Sequence, residues 1–324
     1  MRTVLVSGAS GIVGYGILRS LRRGPEPLRL VATTIHLDSA AQAFSDVFEH
    51  APRTSSDGYL PWLLGVIRRH HVDLLVPSIE ADLYAWNEHR AEIEATGAAL
   101  ALNDPGLIRR CQDKWTFYQD LVRQAPDLAI PTRLEGSWEE LAGAFGVPFL
   151  LKPRRGFASK GIVRVASEAE FQAQRAGLGA VLMAQPIVGS ADDEYTVSAF
   201  FDEESACCCH LALRRRLSPE GFTQSAEVCD LEGAEEAIGA LGRAWRARGP
   251  TNFQFRVHQG ALKLLEINPR ISSATSIRAA FGYNESLMSV AHYLDGRRPE
   301  RPSIRKGRAV RYTEEIIIYD GADR

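Results

Sequence analysis

The sequence has no apolar run long enough to cross a bilayer, no Cys-x-x-Cys pair and almost no excess of one charge. The first absence excludes a transmembrane helix and leaves no reason to expect a membrane partner. The second removes the spacing that zinc sites and redox motifs use. There are only five cysteines, and three are consecutive, Cys207 to Cys209. Neighbours on a strand point to opposite faces, so these do not build a disulfide framework, and reduced residues in a cytoplasmic protein are expected. The formal net charge is −2. Arg68-Arg69, Arg109-Arg110 and Arg214-Arg215-Arg216 are scattered between acids, and most of them read as solvated helix ends, so no nucleic-acid partner is expected. The N-terminus runs straight into an apolar strand, without a basic region followed by a leader-like segment.

What is present is ordinary globular composition: 324 residues, 45% hydrophobic, with 27 Gly and 16 Pro. That length predicts two or three packed units, each with its own core. Up to about residue 102, short apolar runs alternate with helical patterns. "TVLVS", "LRLVATT", "DLLVP" and "AALAL" read as four strands, separated by helices such as "GIVGYGILRSLRR" and "PWLLGVIRRH". This order predicts a small doubly wound parallel sheet. In "VLVSGASGIVG", Gly8 suits a tight strand-to-helix turn and Gly14 close helix packing. Asp104-Pro105 ends the pattern, and "PFLLKP", "GIVRVA", "AVLMAQ", "EYTVSAFF", "ACCCHLALR" and "GFTQSAEV" follow as strands of α+β texture. The expected class is therefore α/β plus α+β, with domains 1–104, 105–189 and 190–324, the last carrying a C-terminal strand.

The most informative segment is the hairpin "NFQFRVHQGALKLLEINPR". Glu266 and Asn268 are two apart on a strand and share a face. Gln254 lies on the polar face of the partner strand, opposite Phe253 and Phe255. A carboxylate beside amides offers hard oxygen ligands of the kind Mg2+ takes when it also meets phosphates. Pairing Gln254 with Glu266 centres the hairpin on Gly260 and predicts the three-residue loop Gln259-Gly260-Ala261. A two-residue loop would pair Gln254 with Leu265 and misalign the set. Arg270, just past Pro269, is placed to meet a phosphate or acyl phosphate.

Two further pieces belong with the hairpin. "PFLLKPRRGFASKGI" brings Lys152 to a sheet edge, where a lysine wants an anionic partner. Its loop holds Gly156, Ala158, Ser159, Lys160 and Gly161, small enough for backbone N–H groups to close on phosphates, or to form a plain surface hairpin. No Walker A spacing is present. In "MAQPIVGSADDEYTV", the connector Gln185, Pro186, Ile187 and Val188 can read an adenine edge, and Glu194 can accept from ribose hydroxyls.

Together with Lys114 in "CQDKWTF", these pieces resemble the ATP-grasp superfamily over residues 105 to 285, preceded by the small Rossmann-like domain that such enzymes carry. Gln at the first metal position and "EINPRIS" resemble one synthetase unit of the carbamoyl phosphate synthetase large subunit. The resemblance implies ATP between two α+β lobes, held by Lys114, Lys152, the glycine loop, the connector and Glu194. It implies one or two Mg2+ or Mn2+ ions on Gln254, Glu266 and Asn268. Lys152 and Arg270 would act on the transferred phosphoryl group. The implied reaction joins a small carboxylate to an amine through an acyl phosphate, with ADP and phosphate as products. Phosphorylation of bicarbonate, carbamate or another carboxylate without ligation, and an ATP-binding module without turnover, are the alternatives. A homodimer is a family-level expectation.

Substrate contacts are sought at three residues. Glu80 follows the third expected strand and would hold an ammonium group or serve as a first-turn helix acid. Ser272 and Arg278 lie just past the metal strand, and Arg278 would meet a substrate carboxylate or sit on a helix surface. "SGASGIVG" also resembles the start of a short-chain dehydrogenase. That family's Tyr-x-x-x-Lys pair is absent at all nine tyrosines, so no dinucleotide is expected.

Overall fold

The computed structural model describes residues 1–156 and 160–317. The chain forms two compact units: Met1–Leu102 with the segment from Ile271 onward, and Asn103–Arg270. Among the described residues, no helix is long and apolar enough to cross a membrane.

In the first unit, β1 (Arg2–Val6), β2 (Leu28–Thr34), β3 (Val47–His50), β4 (Leu74–Val76) and β5 (Ala99–Leu100) form one sheet. Their order is β3-β2-β1-β4-β5, and every pairing is parallel. The inner strands are buried almost without interruption because helices cover the sheet, which is why they read as continuous apolar runs. Val4, Val6, Leu30, Ala32, Leu74 and Val76 pack with Ile17, Leu18 and Leu21 of helix Ile12–Leu21. Ile271 and Val290 from the C-terminal segment join the same core.

β3 is a strand that sequence reading misses. It pairs only with β2, at the sheet edge, and three of its four residues are half-buried. A one-sided edge strand needs no alternating apolar pattern, and "VFEH" has none. The turn after β1 is as expected. Gly8 has φ +56°, and a Cβ on Gly14 would lie 2.5 Å from the Ala9 Cα, so the helix rests directly on the turn.

The second unit has two antiparallel sheets. In the smaller, β6 (Phe149–Pro153), β7 (Val163–Val165) and β8 (Leu182–Pro186) run in the order β7-β6-β8. Phe149, Leu151, Val165, Leu182 and Ala184 bury one face against Leu141 and Phe171 of helices Trp138–Phe145 and Glu168–Gln174. A capping box between Ser137 and Glu140 starts the first of these helices.

The larger sheet contains β9 (Glu194–Phe201), β10 (Cys207–Leu217), β11 (Thr223–Val228), β12 (Gly249–His258) and β13 (Ala261–Asn268). Within it the order is β13-β12-β9-β10-β11. Phe201, Phe253 and Phe255 pack on Ile238 and Leu241 of helix Ala234–Ala244, and on Phe117 and Leu121 of helix Lys114–Gln124. All five cysteines are free thiols. The chain thus combines a parallel α/β unit with an α+β unit.

Candidate active site

The β12–β13 hairpin aligns Gln254 with Glu266, by a different route from the one expected. His258 pairs with Ala261, so the loop is the two residues Gln259-Gly260, both at positive φ (51° and 76°). This corrects the expected three-residue loop. The misalignment that a short loop should bring is undone by a bulge. Phe255 pairs with Leu264 and Gln254 with Glu266, so Leu265 and Glu266 together oppose Gln254. One extra residue shifts the register and re-aims the strand end, a common device beside active sites. Leu264 and Ile267 stay in the core, while Glu266 and Asn268 lie half-buried on the other face. Asn252 pairs with Asn268 across the strands, and Asn268 Nδ2 donates to Glu266 Oε1 at 3.3 Å.

Cations crowd this face. Arg215 donates through Nη2 to Glu194 Oε1 at 2.9 Å and to Gln254 Oε1 at 2.8 Å. Arg256 meets Glu194 Oε2 at 2.8 Å, so both Glu194 oxygens are engaged by guanidinium groups. The Arg215 and Glu194 side chains are only 4% and 5% exposed. Arg215 therefore corrects the reading of Arg214-Arg215-Arg216 as solvated helix ends. β10 runs on to Leu217, and strand alternation turns the middle arginine inward. Arg256 Nη1 also donates to the Val188 carbonyl, and the Gly189 N–H to His258 Nδ1, which tie the connector to β12.

Lys152 lies half-buried on β6 and has no hydrogen-bond or ion-pair partner among the described residues. Burial pushes its ammonium pKa down, and the nearby Glu266 carboxylate opposes this only in part. Burial also acts on Glu266, in the opposite direction, but Lys152, Lys114, Arg215 and the Asn268 amide outweigh it. Glu266 is therefore held below the usual carboxylate range. Lys114 Nζ donates to the Gly156 carbonyl at 2.7 Å. Gly156 and Gly161 have φ of +122° and +75°, backbone shapes that glycine permits. Lys160 is exposed at the end of this loop. Ala158 and Ser159 lie outside the described residues.

Asp113 holds the base of the loop. It caps helix Lys114–Gln124 by accepting from the Trp115 and Thr116 N–H groups, and its other oxygen meets Arg154 at 3.0 Å. Asp113, Arg154 and Arg215 are the residues that sequence reasoning passed over. "QDKWT" does carry an N-cap signal, Asp just before a helical run. The ion pairs that these residues make, Asp113 with Arg154 and Arg215 with Glu194, join positions 41 and 21 residues apart, beyond the reach of local pattern.

The other expected residues are placed as follows. Gln185 is buried and donates to Thr132, while Pro186 and Ile187 are half-buried and Val188 is buried. The Arg270 N–H closes back on the Asn268 carbonyl at 2.8 Å, directly after the hairpin. Glu80 is the first residue of helix Glu80–Glu88 and so a first-turn acid. Arg278 is not on a helix surface: it is fully buried, bonded to Ser272 Oγ at 2.7 Å and to Glu285 at 3.3 Å. A guanidinium already committed to a buried carboxylate gives no support to the substrate expectation for Arg278 and Ser272.

This combination of folds and charged groups has relatives among known proteins. Residues 182–316 match a family model described as an ATP-grasp in the biosynthetic pathway with Ter operon. The carbamoyl phosphate synthase large chain of Methanosarcina barkeri is 22% identical over 195 residues, covering 54% of this chain and 18% of the relative. The match thus spans less than a fifth of that protein's length. N5-carboxyaminoimidazole synthetase from Staphylococcus aureus, complexed with ADP, superposes with a TM-score of 0.72 at 14% identity, covering 94% of this chain and 80% of that one. The biotin carboxylase domain of the Hydrogenobacter thermophilus 2-oxoglutarate carboxylase gives a TM-score of 0.72 at 16% identity, covering 95% and 73%. At such identities the likeness is one of fold. The chain has the fold of these ATP-grasp enzymes, and its residues 182–316 are similar to the ATP-grasp family model.

Proposed function

We propose that this chain is an ATP-dependent carboxylate–amine ligase acting on small molecules. The observation that carries the reading is the polar face of the hairpin. Glu266 and Asn268 lie there beside Gln254, and the nearby Lys152 and Lys114 help to hold the Glu266 carboxyl below the usual carboxylate range. A half-buried face on which Lys114, Lys152, Arg215 and Arg256 surround Glu266 and Glu194 suits a polyphosphate and a divalent cation better than a neutral ligand.

The residues fit Mg2+ or Mn2+. Glu266 supplies a carboxylate and Asn268 an amide oxygen, while Gln254 enters with an oxygen already shared with Arg215. When bound, the ion would neutralise phosphate charge and orient the polyphosphate. In this reading Lys114 and Lys152 hold the phosphates, with Gly156, Lys160 and Gly161 beside them, and the connector's backbone meets the base. Glu194, whose oxygens are held by Arg215 and Arg256, would accept from the ribose hydroxyls. Arg270 steadies the phosphoryl group as it moves to the substrate carboxylate. That transfer forms an acyl phosphate and ADP, and attack by the amine at the acyl carbon then forms the amide and releases phosphate. Positioning and charge complementarity supply the rate, and no protein nucleophile takes part. Small-molecule substrates, a cytoplasmic setting and a homodimer complete the proposal.

The test is ADP and phosphate release with panels of carboxylates and amines, with hydroxylamine added to trap the acyl phosphate as a hydroxamate. AMP and pyrophosphate as products would overturn it. A second reading, phosphorylation of bicarbonate, draws support from the bicarbonate anion in the Hydrogenobacter complex and from the carbamoyl phosphate synthase match. Release of ADP that depends on labelled bicarbonate alone would favour it.

A further inference from the structure

One face of the larger sheet carries a row of charged and amide side chains. Glu194 on β9 pairs with Arg215 on β10 on one side and with Arg256 on β12 on the other. Two residues along, Thr196 of β9 pairs with Gln254, and Gln254 in turn with Glu266. Strand alternation keeps this row on the face away from Val197, Phe253 and Phe255, which fill the core.

Arg215 is fixed in the row. Its Nε and Nη2 both donate to Glu194 Oε1, at 3.2 and 2.9 Å, and the side chain is buried. The same Nη2 donates to Gln254 Oε1 at 2.8 Å. A guanidinium has only donors and stays charged at any ordinary pH. It therefore settles which way the Gln254 amide lies. Oε1 faces Arg215, because the reversed amide would set N–H against N–H.

The same contact governs what else can use that oxygen. A divalent ion about 2.1 Å from Oε1 would stand no more than about 5 Å from Nη2. In a half-buried site, repulsion between a dication and a permanent cation at that range outweighs one amide ligand. The face has little else to offer a second ion. Glu194 is already held by two guanidinium groups, which leaves the Glu266 carboxylate. Among the described residues, no group of three or more His, Cys, Asp or Glu side chains could hold a metal. Asn268 Nδ2 donates to Glu266 Oε1, so Asn268 Oδ1 and Glu266 Oε2 are left for one ion.

We infer that Arg215 withdraws Gln254 from the metal and takes the oxygen that a second divalent ion would use, so that nucleotide is bound with one ion, on Glu266 and Asn268. The inference rests on the ATP reading above and refines it by taking Gln254 out of the ligand set. Arg215 is a positioning residue in this scheme, since it acts through the Gln254 oxygen.

The test counts bound Mn2+ from the loss of the free-ion electron paramagnetic resonance signal, with β,γ-imido-ATP equimolar to protein. It compares the wild type, Gln254→Met, Arg215→Met and Glu266→Gln. The wild type is expected to bind one Mn2+ per protein–nucleotide complex, with any second ion about a hundredfold weaker or more. Gln254→Met keeps the count at one and the affinity within about threefold, whereas Glu266→Gln weakens the ion by about tenfold or more. Arg215→Met frees Gln254 Oε1 and tightens a second ion by about tenfold or more. If Arg215→Met does not fold, the wild-type count and Gln254→Met decide. Two ions of similar affinity in the wild type, or a loss of about tenfold in Gln254→Met, would overturn the inference. So would a folded Arg215→Met that binds ions as the wild type does, or a Glu266→Gln that binds the first ion unchanged. A folded wild type that binds neither the nucleotide nor Mn2+ would overturn the ATP reading itself, and this inference with it.

Discussion

Arg278→Met would leave Glu285 buried without the guanidinium that meets it at 3.3 Å. Both side chains are 0% exposed, so water cannot take over. Removing one partner of such a pair costs about 3–5 kcal/mol, most of it the penalty of an uncompensated buried charge. Ser272 also loses the donor to its hydroxyl. At about 2–4 °C per kcal/mol for a unit of this size, Arg278→Met should melt roughly 10 °C below the wild type. Arg278→Met combined with Glu285→Met removes both charges at similar volume and should recover most of the loss. The assay is thermal melting of the wild type, both single variants and the double. Two results would refute the reasoning: a single variant melting within about 2 °C of the wild type, or a double variant losing the sum of the singles. Unchanged melting with a raised KM for the carboxylate would return Arg278 to a substrate role.

Two smaller effects follow from local geometry. Asp113 is pushed up by burial, but the bonds from Arg154 and from the Thr116 and Trp115 amides outweigh this and hold it below the usual carboxylate range. Its folded-state pKa is thus lower than its unfolded one, so its stabilisation is complete above the ordinary aspartate range and is lost as pH falls through the depressed value. Asp113→Asn keeps the helix cap and should cost about 1–2 kcal/mol at pH 7, with the difference from the wild type vanishing in acid, as urea titrations at several pH values would show. Gln259 sits exposed at φ +51° before Gly260, a conformation that Asn-Gly favours. Gln259→Asn should therefore raise stability by about 0.5 kcal/mol, and a decrease in the denaturation midpoint would contradict the turn assignment.

Much of the fold was legible because its buried strands are apolar and its turns are marked. β1, β2, β4 and β5 announced themselves as apolar runs between helical patterns, and Gly8 and Gly14 marked the first turn. β3 did not, since an edge strand with one neighbour is free to be "VFEH". In the hairpin, the facing of Gln254 and Glu266 followed from the chemistry that the pair suggests. The loop did not, because symmetric counting has no place for the bulge at Leu265. Arg215 hid inside a run of three arginines, where charge alone reads as surface and only the continuation of β10 to Leu217 shows the inward face. Arg278 and Glu285 are seven residues apart on two short helices, and no helical spacing rule brings such a pair together.

In the proposed reaction the face bearing Glu266, Asn268 and Gln254, with Lys152 nearby, transfers the terminal phosphoryl group of ATP to a carboxylate. The most direct measurement is product analysis of γ-labelled and α-labelled ATP with Mg2+ and a panel of carboxylates, for the wild type and for Lys152→Met. Carboxylate-dependent ADP and phosphate are expected from the wild type, with the rate reduced about a hundredfold or more in Lys152→Met. Formation of AMP and pyrophosphate, or equal rates in the two proteins, would contradict it.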